Sequence, residues 1–215
     1  MLAAPTYQHL PPFGRHWLTP VYDFFCTLVG LGRPFKARVL AAVVVPAAAT
    51  IVDVGCGTGV LLEVVKLRHP TGTVIGVDPD SGALAIAARR LKRVHLDVTL
   101  HRAYAEALPI ADRSADACFS TLAFHHLPNV GKRSAIEEMY RVLKPGGWVV
   151  IADFGPSQNV WLRRMLFFEH LENLRGNLDG LIPRYLAAAG FRNVRVVGRK
   201  FPGIAITVAQ RPAGA

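Results

Sequence analysis

Residues 51 to 59 read Ile-Val-Asp-Val-Gly-Cys-Gly-Thr-Gly, and few folds accommodate such a stretch. Ile51 to Val54 suit a buried parallel strand, because β-branched residues dominate the run. Gly55, Gly57 and Gly59 suit the turn that leaves it. Glycine reaches positive φ without steric cost and lets a ligand approach the backbone. Val60-Leu61-Leu62 and Val64-Val65 then predict an amphipathic helix. Its N-terminus presents unpaired N–H groups and a partial positive charge. A glycine turn alone is weak evidence of binding. Here a second strand, Val74-Ile75-Gly76-Val77, also ends in an acid, Asp78. Acids at both strand ends predict a ribose-containing ligand, with Asp78 accepting hydrogen bonds from its hydroxyls.

The alternation continues beyond these strands. Strands are predicted over Thr50–Val54, Thr73–Val77, Val98–Ala103, Asp116–Thr121 and Trp148–Asp153, and helices over Thr58–His69, Ser81–Arg93 and Lys132–Leu143. Ser81 or Asp80 caps the middle helix, and Lys144-Pro145-Gly146-Gly147 ends the last with a turn. This pattern predicts an α/β fold: a mostly parallel sheet, helices on both faces, and ligand loops at the strands' carboxyl ends. After Phe154 the pattern changes. Val160–Leu174 reads as a helix ended by Gly176-Asn177, and Leu178–Ala189 as another with Gly190 beyond it. Phe191–Val197 and Ile204–Gln210 read as an antiparallel hairpin finishing the sheet. At the other end, Met1–Pro20 is an irregular arm, followed by predicted helices at Val21–Leu31 and Pro34–Val45. These helices are expected to cap the ligand or to pack on an edge helix. A length of 215 residues suits one domain. It divides into an arm and helical cap (1–49), a binding core (50–154), and substrate-side helices with the C-terminal hairpin (155–215).

The Val52–Gly59 wording resembles motif I of the class I S-adenosylmethionine-dependent methyltransferases. Ala105-Glu106-Ala107-Leu108-Pro109 resembles that family's segment after the third strand. Ala115–Leu127 resembles its strand-four motif, and Arg141-Val142-Leu143-Lys144-Pro145-Gly146-Gly147 its turn before strand five. The subgroup resembled is the ubiquinone/menaquinone C-methyltransferase-like one, whose C-terminal segment is similar to Asn177–Phe191. The resemblance implies a Rossmann-like sheet of seven strands with an antiparallel C-terminal strand, counted here from the predicted elements. It implies S-adenosylmethionine as cofactor. The implied contacts are Asp53, Gly55, Cys56, Gly57 and Gly59 around the methionine part, and Asp78 and Pro79 at the ribose. Tyr104, Ala105 and Glu106 fall at the adenine, Thr121 and His126 after strand four, and Tyr22 in the cap. In similar sequences an Asp stands just before Ala-Glu-x-Leu-Pro and accepts the adenine amino group. Tyr104 occupies that position here. A phenol accepts a hydrogen bond but carries no charge at neutral pH, so a weaker adenine contact is expected.

Methyl transfer asks mainly for alignment and exclusion of water. A base is needed only where the acceptor starts protonated. His125 and His126 follow strand four, and His125 is the candidate base, since imidazole titrates near neutral pH. The plainer reading is that one histidine holds the loop. Asp23, beside Tyr22, is a further candidate for closing over the cofactor. Adjacent histidines without a Cys/His cluster are poorly spaced for a metal, and none is predicted. The expected acceptor is a small lipophilic or amphipathic molecule that is quinone-, phospholipid- or natural-product-like. Tyr22, Phe24, Phe25, Trp161, Phe167 and Phe168 suit it, although each equally suits a core. The net charge of +10, with basic residues in excess over Val160–Lys200, favours anionic partners. Nucleic acid is disfavoured by the lack of basic–aromatic interleaving, while a peripheral contact with an anionic membrane stays open. Cys26, Cys56 and Cys118 make no disulfide framework, so a cytoplasmic setting is the default. Two other classes compete: a nicotinamide-dependent oxidoreductase sharing the glycine loop, and a non-catalytic module binding a cofactor or nucleic acid. No pattern speaks to oligomeric state.

Overall fold

The computed structural model describes residues 30–157, 172–200 and 203–214. Among these a seven-stranded sheet runs in the order β3-β2-β1-β4-β5-β7-β6. Its strands are β1 Thr50–Val54, β2 Thr73–Asp78, β3 Thr99–Arg102, β4 Ala115–Thr121, β5 Leu143–Phe154, β6 Arg192–Lys200 and β7 Ile204–Gln210. Strands β1 to β5 are parallel, β7 lies antiparallel beside β5, and β6 closes the edge antiparallel to β7. The hairpin therefore turns its second strand inward. Strand β7 is buried along almost its whole length, whereas edge strand β6 alternates between exposed and half-buried positions.

The helices are α1 Arg33–Leu40, α2 Val60–Arg68, α3 Ser81–Arg93, α4 Asn129–Val142, α5 Glu172–Leu178 and α6 Leu181–Ala188. One face of the sheet packs Ile51, Ala117, Phe119 and Val150 against Phe35, Val39 and Leu40 of α1, Leu61, Leu62 and Val65 of α2, and Leu91 of α3. The other packs Val52, Val54, Cys118, Val149 and Ile151 against Ile136, Met139 and Val142 of α4 and Ile182 and Leu186 of α6. Each large apolar side chain so buried contributes about 1.5–3 kcal/mol.

Several boundaries differ from those predicted, each for a local reason. Helix α1 stops at Leu40, well short of Val45; Val43 turns into the core while Val44 stays 91% exposed, so the apolar run is not one helical face. Helix α2 starts at Val60 because Gly59, at φ 79°, is its N-cap. Helix α4 starts already at Asn129, behind Pro128, with Val130 65% exposed, so the apolar period gives no sign of its first turn. Lys144-Pro145-Gly146-Gly147 does not separate helix from strand but lies inside β5. Leu143 pairs with Ala115 and Trp148 with Ala117, so the segment bulges. Gly146 N–H donates to the Arg211 carbonyl, and Arg211 N–H to the Gly147 carbonyl, which ties the bulge to the chain's end. Helix α5 runs through Gly176-Asn177 rather than ending there. Gly176 is glycine for closeness, since a Cβ there would collide with Asn129 Oδ1. The turn falls at Gly180, φ 80°. The predicted Val21–Leu31 helix, except for Gly30 and Leu31, which lie in no helix, and most of Val160–Leu174, with Tyr22, Asp23 and their aromatics, lie outside the described residues.

Candidate active site

Strand order reverses between β1 and β4: β2 and β3 continue to one side, β5 to the other. In an open parallel sheet a crevice forms at such a reversal, beyond the strands' carboxyl ends. The glycine turn forms one wall. Gly55, Gly57 and Gly59 have φ of 73°, 52° and 79°, a region other residues rarely enter. They differ in surroundings. A Cβ on Gly55 would lie 2.5 Å from Ala123 Cβ, and one on Gly59 2.9 Å from Ala87 Cβ, whereas one on Gly57 would meet nothing within 4 Å. The outer glycines allow packing; the middle one faces open space where a ligand's atoms fit.

The loop is tied to β2. Gly55 and Cys56 N–H both donate to the Val77 carbonyl, at 2.8 and 3.1 Å. Gly57 N–H donates to Asp78 Oδ2 at 2.8 Å, and Asp80 N–H to Asp78 Oδ1 at 2.9 Å. Burial pushes the Asp78 carboxyl up, and these two N–H groups pull it back. Cys56 is buried and its thiol is pushed far up, chiefly by that burial, so it fills space rather than reacting. Asp80 caps α3 through Gly82 and Ala83 N–H, at 2.7 and 3.3 Å. Pro79 presents its carbonyl to Arg102 Nε at 3.3 Å.

Asp53 is different. It is 1% exposed, and neither carboxylate oxygen has a hydrogen-bond partner among the described residues. Burial raises its pKa to about 7, with the charge of Lys36 pulling down and that of Asp78 pushing up. An orphaned buried carboxylate beside the open face of Gly57 fits the ammonium of an amino-acid ligand. Lys36, on α1, donates to Thr121 Oγ1 at the end of β4. Sequence reasoning missed Lys36, although a signal existed. Phe35, Val39 and Leu40 are the buried face of α1, and Lys36 lies three and four residues before the last two, on the same stripe.

The segment expected from the sequence at the adenine follows β3. Ala103 N–H donates to the Asp78 carbonyl at 3.3 Å, which sets Tyr104, Ala105 and Glu106 beside the acidic end of β2. Burial pushes the Glu106 carboxyl up, its own N–H opposing. Arg141 braces the segment: its guanidinium donates to the carbonyls of Ile110 at 2.9 Å and Leu108 at 3.0 Å, and Glu138 Oε2 accepts from Leu108 N–H at 2.8 Å.

Beyond β4 the chain bends sharply. Leu122 takes φ 59°, a strained state for leucine, and Leu122 N–H donates to the Ala152 carbonyl at 2.9 Å. A short 3₁₀ turn, Phe124–His126, then carries the histidines. Nδ1 of His125 lies 3.0 and 3.2 Å from the two oxygens of Asp153 at the end of β5. Asp153 also accepts from Phe154 N–H at 2.7 Å and from Asn177 Nδ2 at 3.2 Å. Burial drives this carboxyl up. The charge and hydrogen bond of His125, the Phe154 N–H and His126 outweigh it and hold Asp153 below the usual carboxylate range. Asp153 is thus held as an ionised acceptor, which favours the tautomer in which Nδ1–H of His125 donates to it and Nε2 is the acceptor nitrogen. The His126 ring sits 4.0 Å from that of His125, centroid to centroid.

A latch from α5 completes this side. Asn173 Nδ2 donates to the His126 carbonyl at 3.2 Å. Lys132, wholly buried, donates to the Asn173 carbonyl, and burial lowers its pKa to about 8 against the charge of Asp153. Sequence reasoning missed Asp153, Asn173, Asn177 and Lys132. For Asp153 the signal was present: it is a further acid ending an apolar strand, as Asp53 and Asp78 do. Tyr22 lies outside the described residues. Among the described residues no group of three or more His, Cys, Asp or Glu is placed to hold a metal ion.

Comparison with known proteins decides the class of ligand. A family described as a methyltransferase domain matches residues 51–147. The demethylmenaquinone methyltransferase of Thermus thermophilus is 31% identical over 219 residues, covering 91% of this chain and 98% of that protein. The chain belongs to the class I S-adenosylmethionine-dependent methyltransferases. Within them it falls in the ubiquinone/menaquinone C-methyltransferase-like group. The ubiquinone/menaquinone biosynthesis C-methyltransferase of Syntrophotalea carbinolica is 29% identical over 182 residues, covering 82% of this methyltransferase and 75% of that one. The fold matches an S-adenosylmethionine-dependent methyltransferase from Aquifex aeolicus with a TM-score of 0.71 at 20% identity, covering 91% of this chain and 98% of that one. The cofactor is S-adenosylmethionine. The oxidoreductase and the non-catalytic module considered from the sequence fall away, since family membership makes the chain a methyl-transferring enzyme.

Proposed function

We propose that this methyltransferase methylates a ring carbon of a small quinol-like acceptor, lipophilic or amphipathic, with His125 as general base. The observation that carries this reading is the His125–Asp153 pair at the carboxyl ends of β4 and β5. A phenolic acceptor starts protonated, so it needs a base, and a histidine oriented by a buried carboxylate is a suitable one. The names of the relatives, at 31% and 29% identity, point to the same acceptor class.

When bound, S-adenosylmethionine supplies an activated methyl group, and a sulfur–methyl bond is exchanged for a carbon–methyl bond. The chain's residues do the rest. Gly55, Cys56, Gly57, Gly59 and Asp53 would hold the methionine part. Asp78 and Pro79 would hold the ribose, Tyr104, Ala105 and Glu106 the adenine, and Thr121 and His126 would close the side toward β4. Nε2 of His125 takes the proton from the acceptor hydroxyl, which enriches the neighbouring ring carbon in electrons. Asp153 steadies the imidazolium so formed. After the methyl group has moved, the ring carbon loses its proton to solvent, aromaticity returns, and the imidazolium gives its proton back to the ring oxygen. For an amphipathic acceptor the net charge of +10 supports approach to an anionic membrane surface from a cytoplasmic setting, with exposed Arg192, Arg195 and Arg199 on β6 among the basic groups available.

Steady-state kinetics on a short-chain demethylated quinol, paired with calorimetry, tests the base. His125→Gln should lower kcat by roughly 10²–10⁴-fold, the usual contribution of a positioned base. Asp153→Asn should lose much of the same factor. Affinity for S-adenosylhomocysteine should stay unchanged in His125→Gln. A wild-type kcat in His125→Gln would remove the base from the mechanism.

A further inference from the structure

Helices α1, α2 and α3 leave a second cleft, outside the crevice. Arg33 of α1, Glu63 of α2 and Arg89, Arg90 and Arg93 of α3 line it, and its apolar lining is limited to Ile86 and Val94. No residue assigned above to the cofactor or the acceptor is among them. The cleft has a volume of about 220 Å³, below the ~300–1,000 Å³ of a pocket for a drug-sized ligand. A small occupant fits it, and four guanidinium groups along the walls call for an anion.

The one carboxylate in the cleft is already engaged. Glu63 is 1% exposed and pairs with Arg33. Arg90 Nη1 lies 3.7 Å from its second oxygen. Arg90 Nε also donates to the Thr58 carbonyl at 2.9 Å, which ties α3 to the glycine turn. Arg89 and Arg93 are different. They stand one turn apart on α3, both exposed, and neither has a hydrogen bond or ion pair among the described residues. Like charges at that spacing repel. The dipole of α3 favours cations in its last turn, and an anion bound between them relieves the repulsion. Guanidinium forks pair with the oxygens of carboxylates and phosphates. A planar carboxylate offers two oxygens on one side. A tetrahedral phosphate also reaches Arg33, on the facing helix.

We propose that this cleft binds a phosphate or diphosphate group, with Arg89 and Arg93 as its principal ligands and Arg33 across from them. A soluble phosphate ester and a lipid headgroup present the same chemistry to it. The cleft shares no residue with the crevice, and Arg90 keeps its Nε on Thr58, so anion and cofactor bind together.

Calorimetry with inorganic pyrophosphate at low ionic strength, on the protein alone and saturated with S-adenosylhomocysteine, tests this. Pyrophosphate should bind at a single site, equally in both cases. The double variant Arg89→Gln, Arg93→Gln should weaken it by about 10- to 100-fold, the range for hydrogen bonds to charged groups, with S-adenosylhomocysteine affinity unchanged. The double variant Arg192→Gln, Arg195→Gln removes the same charge from β6 and should bind pyrophosphate as the wild type does. Sedimentation with phosphatidylglycerol vesicles then identifies the source. Capture that is lost with Arg89 and Arg93 assigns the site to a lipid headgroup; pyrophosphate binding without such capture assigns it to a soluble ester. Absence of pyrophosphate binding to the wild type, an equal loss in both double variants, or competition between pyrophosphate and S-adenosylhomocysteine overturns the proposal.

Discussion

Asp53 carries a cost in the ligand-free protein that can be measured. Its carboxyl titrates near 3.8 when unfolded and near 7 when buried in the fold, chiefly through loss of solvation. Between those values the folded state holds a proton that the unfolded state has lost. Stability from this group is therefore fully present below pH 4, falls as pH rises toward 7, and is flat above. At ~1.4 kcal/mol per unit the fall is on the order of 4 kcal/mol. The Asp78 carboxyl, also pushed up by burial, acts in the same direction. Asp153 acts in the opposite direction and only at lower pH, since its carboxyl lies below the ordinary range. Denaturant unfolding of the ligand-free protein at pH 5 and pH 8 should show the loss, and Asp53→Asn should flatten it. An identical pH slope in the variant would mean that Asp53 is solvated or paired. At this scale the sequence was most legible where chemistry needs a rare residue in a fixed local pattern: the alternate glycines, Asp53, Asp78 and the histidines after β4. Lys36 was hidden by an apolar stripe. Asp153 did carry a local signal, an acid ending an apolar strand, whereas Asn173 and Asn177 were hidden by distance, because nothing local says that residues 24 and more apart meet.

At the scale of elements, strand cores and the capped helix α3 were plain from pattern, and Ser81–Arg93 and Ile204–Gln210 coincide with their predicted bounds. Turn chemistry misled in two places. Lys144-Pro145-Gly146-Gly147 was absorbed as a bulge within β5 because the chain's end pairs with it. Gly176-Asn177 sits inside α5 because its residues serve tertiary contacts: Gly176 for close approach to Asn129, Asn177 for Asp153. Helix α5 therefore braces both the turn that carries the histidines, through Asn173, and Asp153, through Asn177. Asn177→Ala removes a buried donor to an ionised carboxylate and should destabilise the protein by about 1.5–3 kcal/mol. It should also lower kcat while sparing S-adenosylhomocysteine affinity, since it touches none of the loops around β1 and β2. Unfolding curves and kcat both matching wild type would dissolve the latch.

Across the whole molecule, the sheet separates two tasks at one edge. In the function proposed, the cofactor end is built from β1, β2 and β3, and the acceptor end from β4, β5, the 3₁₀ turn and α5. The reversal of strand order between β1 and β4 sets these strands side by side, so in the proposed mechanism a methyl donor held by one group would meet a base held by the other. The fold-level pattern was readable because β-α alternation is repeated along the chain. The join between the two ends was not, because it depends on tertiary contacts alone. The destination of the methyl group is the decisive observable. The protein should be incubated with S-adenosylmethionine carrying an isotopically labelled methyl and a short-chain demethylated quinol, and the product examined by carbon NMR. A labelled methyl bonded to a ring carbon, its formation strongly reduced in His125→Gln, is the expected result. A labelled methoxy group, or no transfer to a quinol under conditions where the cofactor binds, would contradict it.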